Sequence, residues 1–226
     1  MGLLPHPSLS RGGEGDLRKW IGILLMMTGL VVAGYQYWIW SQARSSAETL
    51  TQDEVEEYEA LKEQKHLSST AITTQEPSYI EERDYSEGEK VGALIIPKLE
   101  ENNHFSVYWG TDENTLQAGV GMFDSDLTTT PLGRKHTVLS GHRDTVFHNL
   151  GKLGEGDELM VEFDGNLYVY EIQTTWITDA EDRSVIVDKE SATLTLTTCY
   201  PFDFFGNAPD RYIVQSKLTS IYPIPD

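Results

Sequence analysis

One cysteine, Cys199, stands in a chain of 226 residues, so no intramolecular disulfide is available. Basic residues are scarce as well. Lys and Arg number 17 against 36 Asp and Glu, for a formal net charge of -19. That balance excludes a nucleic-acid binder, which needs a basic face for phosphates. No internal repeat is visible. His136, His142 and His148 fall six apart, a spacing that matches no standard zinc pattern. A long uncharged apolar run occurs once, near the N-terminus.

That run is "WIGILLMMTGLVVAGYQYWIW", Trp20 to Trp40. A bilayer-spanning helix needs about 20 apolar residues. Trp20, Trp38 and Trp40, with Tyr35 and Tyr37, lie towards its ends, where amphipathic rings suit the headgroup layer. Arg11, Arg18 and Lys19 precede it, and Arg44 is the lone basic residue soon after. This bias predicts a cytoplasmic N-terminus, with the remainder outside the cell. A cleaved signal peptide is the rival, with "SQA" at Ser41 to Ala43 as its cleavage site. Its apolar region would be only about 7–15 residues long, which favours a retained anchor here. Charge divides at the same place, +1 before the run and -20 after it.

The expected organisation is a cytoplasmic N-terminus at 1–19, an anchor at 20–40, a stalk or linker at 41–90 and a catalytic domain at 91–226. In the stalk, "TQDEVEEYEALKEQKHL" reads as a solvated charged helix. Thr51 and Glu54 have capping-box spacing, with Leu50 and Val55 as the staple. Beyond Lys90 the pattern changes. "VGALIIPKL" reads as an edge or bent strand because of Pro97. "FSVYWG", "HTVLSG", "DELMVEF", "NLYVYEIQTTWIT", "ATLTLTT" and "RYIVQSKL" alternate as strands, and "FDGNLYVY" as a hairpin around Asp164–Asn166. Short helices are expected around Glu113–Ala118, Thr145–Leu150 and Glu181–Arg183. So many short strands in about 135 residues predict a mostly β fold, a closed or nearly closed barrel.

Cys199 ends the run "TLTLTTC". A free cysteine at a strand end is commonly a small buried hydrophobe. Outside the cell an exposed thiol is open to oxidation, so this one is either well buried or chemically useful. Usefulness requires partners that favour the thiolate. Of the six histidines, His6 precedes the apolar run and His66 lies in the stalk, leaving His104, His136, His142 and His148. His142, in "VLSGHRDT", follows a strand and a glycine turn, where active-site residues often sit. His136 and His148 carry only a structural reading. Arg211 opens the strand after Cys199. If those strands are neighbours, thiol and guanidinium share one end of the barrel, and the guanidinium can donate to an oxyanion. The bland alternative for Arg211 is an ion pair with Asp210 or Asp203.

"TLTTC" resembles the TLxTC signature of sortases, "SGHRDTVF" their histidine segment and "APDRYIV" their arginine strand. Order and spacing agree across roughly Val91 to Leu218. "HRDTVFHNLGKLGEGDEL" and "CYPFDFFGNAPDRYIV" look most like class D sortases of Gram-positive bacteria. The resemblance implies a closed sortase-type β-barrel of about eight strands with short helices. It also implies His142, Cys199 and Arg211 as the catalytic residues. Cys199 would be the nucleophile forming an acyl-thioester, His142 the general acid and base, and Arg211 the oxyanion and substrate-positioning group. The implied partners are surface proteins with a C-terminal LPxTA- or LPxTG-like signal, cleaved after Thr, and an amine of the peptidoglycan precursor. The bilayer is the third partner, through residues 20–40. Pilus-building sortases often carry an Asp-Pro-aromatic lid. "QEPSYIEE" offers Glu76–Pro77 instead, which implies an open site. Met122 in "GVGMF" stands where many class D relatives have histidine.

Two rivals share the sequence evidence. A hydrolytic cysteine protease uses the same pair of residues, although papain-like enzymes have the opposite order. A non-enzymatic membrane-tethered β-domain for adhesion or sensing would keep Cys199 buried and inert. No cofactor is expected. Calcium is the one cation the acidic loops "FDSDL" and "TDAEDR" bring to mind, and neither has the EF-hand pattern.

Overall fold

An α-helix, α1 (Gly13–Ser45), takes in the whole uncharged run. The computed structural model describes residues 13–45, 47–48, 60, 85–99, 103–203, 206 and 208–224. Within α1, the 22 residues Leu17–Trp38 have a mean hydropathy of 1.5, and none of them is buried. At about 1.5 Å per residue they reach about 33 Å, enough for a hydrocarbon core of about 30 Å. Chain contacts divide the protein into two units, residues 1–41 and 42–226.

The first strand of the second unit, β1 (Ala47–Glu48), has two residues and lies where the sequence reads as stalk. The predicted stalk helix at 51–67, its capping box and Glu76–Pro77 lie outside the described residues. Eight further strands form a barrel: β2 (Lys90–Ile95), β3 (His104–Trp109), β4 (Val120–Met122), β5 (His136–Ser140), β6 (Glu158–Phe163), β7 (Asn166–Asp179), β8 (Thr193–Tyr200) and β9 (Asp210–Pro223). Their order is β3-β2-β6-β7-β9-β8-β5-β4, and β4 returns to β3 to close the wall. The expected mostly β closed barrel of eight strands is what the chain forms. β4 uses only Val107–Trp109 of β3, so β1 finds free backbone groups at His104 and Phe105 on the same edge.

Local chemistry explains the connections. β3 and β4 are parallel, so a crossover is required, and a short helix α2 (Glu113–Ala118) supplies it. Asp112 caps α2 by accepting from the Thr115 N–H at 2.7 Å. β6 and β7 form a hairpin whose turn residues, Asp164 and Gly165, have φ of 48° and 69°. Positive φ at both positions is what a type I′ turn demands.

Three expectations need correcting. β2 is not an edge strand: it lies between β3 and β6, and it ends before Pro97, so the proline removes no ladder bond. Thr145–Leu150 forms successive turns rather than a helix, followed by a 3-10 turn at Leu150–Lys152. The Phe147 N–H there reaches back to the His142 carbonyl, a wider span than an α-helix uses. Glu181–Arg183 is also turn. Asp182 accepts from the Ser184 N–H and hydroxyl and from the Thr178 hydroxyl, and such side-chain bonds compete with helix.

Strand alternation places the core inside the barrel. Leu194, Leu196 and Val214 face Leu139, Phe105, Val107 and Phe147 in one buried cluster. Each such side chain contributes about 1.5–3 kcal/mol by leaving water. Residues between them on β8, Thr193, Thr195, Thr197 and Cys199, therefore point outward.

Candidate active site

β5 and β8 run parallel, with His136 beside Thr193 and Ser140 beside Thr197. Their odd and even partners sort by face. Thr137 and Leu139 on β5 go inward with Leu194 and Leu196, while His136, Val138 and Ser140 go outward with Thr193, Thr195 and Thr197. The ladder continues past the strand end, where the Gly141 N–H donates to the Thr197 carbonyl at 3.2 Å. His142 comes two residues after Ser140, as Cys199 comes two after Thr197. Thr198, between Thr197 and Cys199, donates its buried hydroxyl to the Gly141 carbonyl at 2.7 Å.

β8 and β9 are antiparallel, and Cys199 lies directly opposite Arg211. Facing residues in such a pair share a face, with Cβ atoms about 4.5–5.5 Å apart. The sequence pattern puts thiol and guanidinium at one end of the barrel. The register adds that both sit on the outward side of the wall there. Cys199, His142 and Arg211 are all half-buried, so the thiol is not sealed among aliphatic neighbours. No hydrogen bond joins the three among the described residues.

His142 and Arg211 each have a partner elsewhere. The His142 Nε2 lies 3.8 Å from Glu113 Oε1 at the start of α2, with 31% and 71% of the two side chains exposed. Glu113 Oε1 also accepts from Gln117 Nε2 at 3.0 Å. Arg211 Nη1 donates to the carbonyls of Asp210, at 3.0 Å, and Ala208, at 3.4 Å. Its polar bonds thus go to backbone. No ion pair with the Asp210 or Asp203 carboxylate is formed among the described residues.

Sequence reasoning missed Glu113, Thr198 and Arg143. Arg143 donates from Nη1 to the Pro201 carbonyl at 2.9 Å and from Nη2 to the Gly206 carbonyl at 2.7 Å. Only adjacency in the chain, to His142 and to Cys199, could have flagged Arg143 and Thr198. No local pattern links Glu113 to His142.

The other histidines divide as read. His136 is fully buried. Its Nδ1 donates to the Val187 carbonyl at 2.6 Å and its Nε2 accepts from the Thr195 hydroxyl at 2.8 Å. Burial holds its pKa below the ordinary imidazole value, with Lys189 pushing the same way and the Val187 bond and Asp188 opposing. His148 donates from Nδ1 to the Thr145 carbonyl at 2.8 Å. Met122 is core, 1% exposed. Among the described residues no three His, Cys, Asp or Glu side chains converge on a point that would hold a cation.

Comparison with known proteins agrees with this architecture. A family profile described as "Sortase domain" matches residues 94–219. Sortase D of Bacillus subtilis (strain 168) is 36% identical over 203 residues, covering 89% of this chain and 98% of its own. The catalytic domain of sortase D from B. anthracis is 59% identical, with a TM-score of 0.54, over 65% of this chain and 99% of that one. A sortase D transpeptidase of Clostridium perfringens is 27% identical, with a TM-score of 0.53, over 61% and 83%. An outward-facing thiol opposite an arginine, on a closed eight-stranded barrel preceded by an apolar helix, therefore sits in a chain that belongs to the sortase family of cysteine transpeptidases.

Proposed function

We propose that this sortase cleaves a C-terminal Leu-Pro-x-Thr-Ala-like signal after Thr and transfers the surface protein to an amine of the peptidoglycan precursor. The register that sets Cys199 opposite Arg211, with His142 two residues past the end of the neighbouring β5, supports this reading. The Cys199 sulfur attacks the Thr carbonyl carbon, and the C–N bond to the next residue breaks. His142, as imidazolium, gives its proton to the departing nitrogen. The product is a thioester. An incoming amine then attacks the same carbon, His142 takes its proton, and the thiolate leaves. A thioester keeps much of the acylating potential of the cleaved bond, so no nucleotide is consumed. Arg211 aims donors at the oxygen that gains charge in both steps.

Arg11, Arg18 and Lys19, ahead of the uncharged run, favour an anchor with its N-terminus in the cytoplasm and the barrel outside. This places the thiol where surface proteins and cell-wall precursors meet, with no metal or other cofactor required by the chemistry.

The test uses the full chain in detergent micelles with a Leu-Pro-x-Thr-Ala peptide. A mass adduct on Cys199 and an amine-dependent ligated product are expected. Turnover that persists in Cys199→Ala would refute the nucleophile assignment. A product formed only with water, whatever amine is added, would make the protein a hydrolase instead.

A further inference from the structure

The connection from β8 to β9 runs from Pro201 to Pro209, nine residues. Hairpin loops are usually about 2–5 residues, so a connection of this length does not hold one shape through its turn alone. It joins the end of β8 that carries Cys199 to the start of β9 that carries Arg211, and its Ala208 carbonyl is one of the two that receive the Arg211 guanidinium. Where this loop sits therefore decides where Arg211 sits relative to the thiol.

Arg143 grips the loop at two places. One guanidinium nitrogen binds the carbonyl of Pro201, two residues after the nucleophile, and another binds that of Gly206, two residues before Ala208. Both bonds span about sixty residues of chain and start from the residue after His142. On the other side of the same two groups, Gly141 bonds to Thr197 and Thr198 bonds to Gly141. The imidazole and the sulfur are thus bracketed, before and after, by links between their own neighbours. A planar fork with several fixed donors can serve two carbonyls at once, which an ammonium on a flexible stem does poorly.

We propose that Arg143 is a positioning residue for transpeptidation: by holding the Pro201 and Gly206 carbonyls it fixes the loop between Cys199 and Arg211 against the segment that carries His142. This rests on the roles given above to those three residues. Displacement of a reacting group by about 1 Å can cost about 100-fold in rate. The two Arg143 bonds described run to loop carbonyls rather than to the sulfur or the imidazole, so substrate capture should be largely spared.

The experiment compares wild type, Arg143→Gln and Arg143→Lys as full chains in micelles, with the sorting-signal peptide and an amine acceptor. Initial rates give kcat and KM, and a melting curve gives the thermal midpoint. Support is a fall in kcat of about 10- to 100-fold in Arg143→Gln, with KM within about threefold and the assay run well below the midpoint. Arg143→Lys should recover only part of the loss. If Gln prevents folding, the Lys variant carries the test, because it keeps charge and stem. A kcat within twofold of wild type in both variants overturns the proposal. So does full rescue by Lys, a rise in KM alone, or a deficit that vanishes on cooling. Cys199→Ala in parallel separates the two readings. If it stays active, the nucleophile assignment fails. If it is dead while Arg143→Gln matches wild type, only the role of Arg143 fails.

Discussion

Thr198 donates its hydroxyl to the carbonyl of Gly141, so the residue before the thiol is tied to the residue before the imidazole. The hydroxyl is buried, and the bond is one of the links between the segments that carry the two groups. Thr198→Val keeps the shape and removes the donor, leaving a carbonyl without its partner. A loss of about 1–3 kcal/mol is expected. Thr198→Ser keeps the donor and should retain most of the wild-type transpeptidation rate. Denaturant midpoints and peptide-transfer rates for both variants check this. Equal behaviour of Val and Ser would remove the bond from the account.

Gly141 has no room for a side chain. A Cβ there would stand 2.6 Å from Val146 Cγ2 and 2.8 Å from the Phe147 ring, both in the packed core. Either those side chains retreat or the backbone ahead of His142 moves. Gly141→Ala should cost about 1–3 kcal/mol as overpacking. Its kcat should fall by about tenfold or more, because His142 is the next residue. Gly154→Ala is the control, since its Cβ would meet nothing within 4 Å. If the two variants lose rate equally, the tight approach at Gly141 is unimportant for the site.

Much of this was legible in the chain. The alternation of "TLTLTTC" fixes which β8 side chains share a face with Cys199, and Asp164–Gly165 announces its hairpin turn. The short helix expected around Glu113–Ala118 is α2. What could not be read was pairing at long range. His136 stands on the outward row of β5, and no local pattern announces that the connection between β7 and β8 covers it. Its Val187 carbonyl takes the His136 Nδ1–H, and His136 is sealed beneath it. Glu113 and Arg143 were missed for the same reason. Their partners lie in segments remote in sequence, and only the closed barrel brings them near.

His136 makes stability depend on pH. Burial lowers its folded pKa, so the unfolded chain, near the ordinary value of about 6.5, takes up a proton first as pH falls. The contribution is complete above about pH 6.5 and shrinks below it until the folded value is reached. The slope from this one group is at most about 1.4 kcal/mol per pH unit. Denaturant titrations between about pH 7.5 and pH 5 should show it, ahead of the carboxylates that titrate lower. His136→Asn should be less stable at the upper pH and flatter across the window. An unchanged slope in that variant would assign the dependence to other groups.

Arg211 offers a test of geometry against charge. Its Nη1 rests on the Asp210 and Ala208 carbonyls while the residue stands opposite Cys199. Arg211→Lys retains the positive charge and loses the planar set of donors. If long-range charge were all that mattered, Lys would serve. If directed hydrogen bonds to the developing oxyanion matter, kcat should fall by about 10²–10³-fold, the usual consequence of losing one such donor. Single-turnover acylation isolates the step: thioester formation should slow while alkylation of Cys199 by a small neutral reagent changes little. Acylation at the wild-type rate would leave Arg211 as a strut for its own loop.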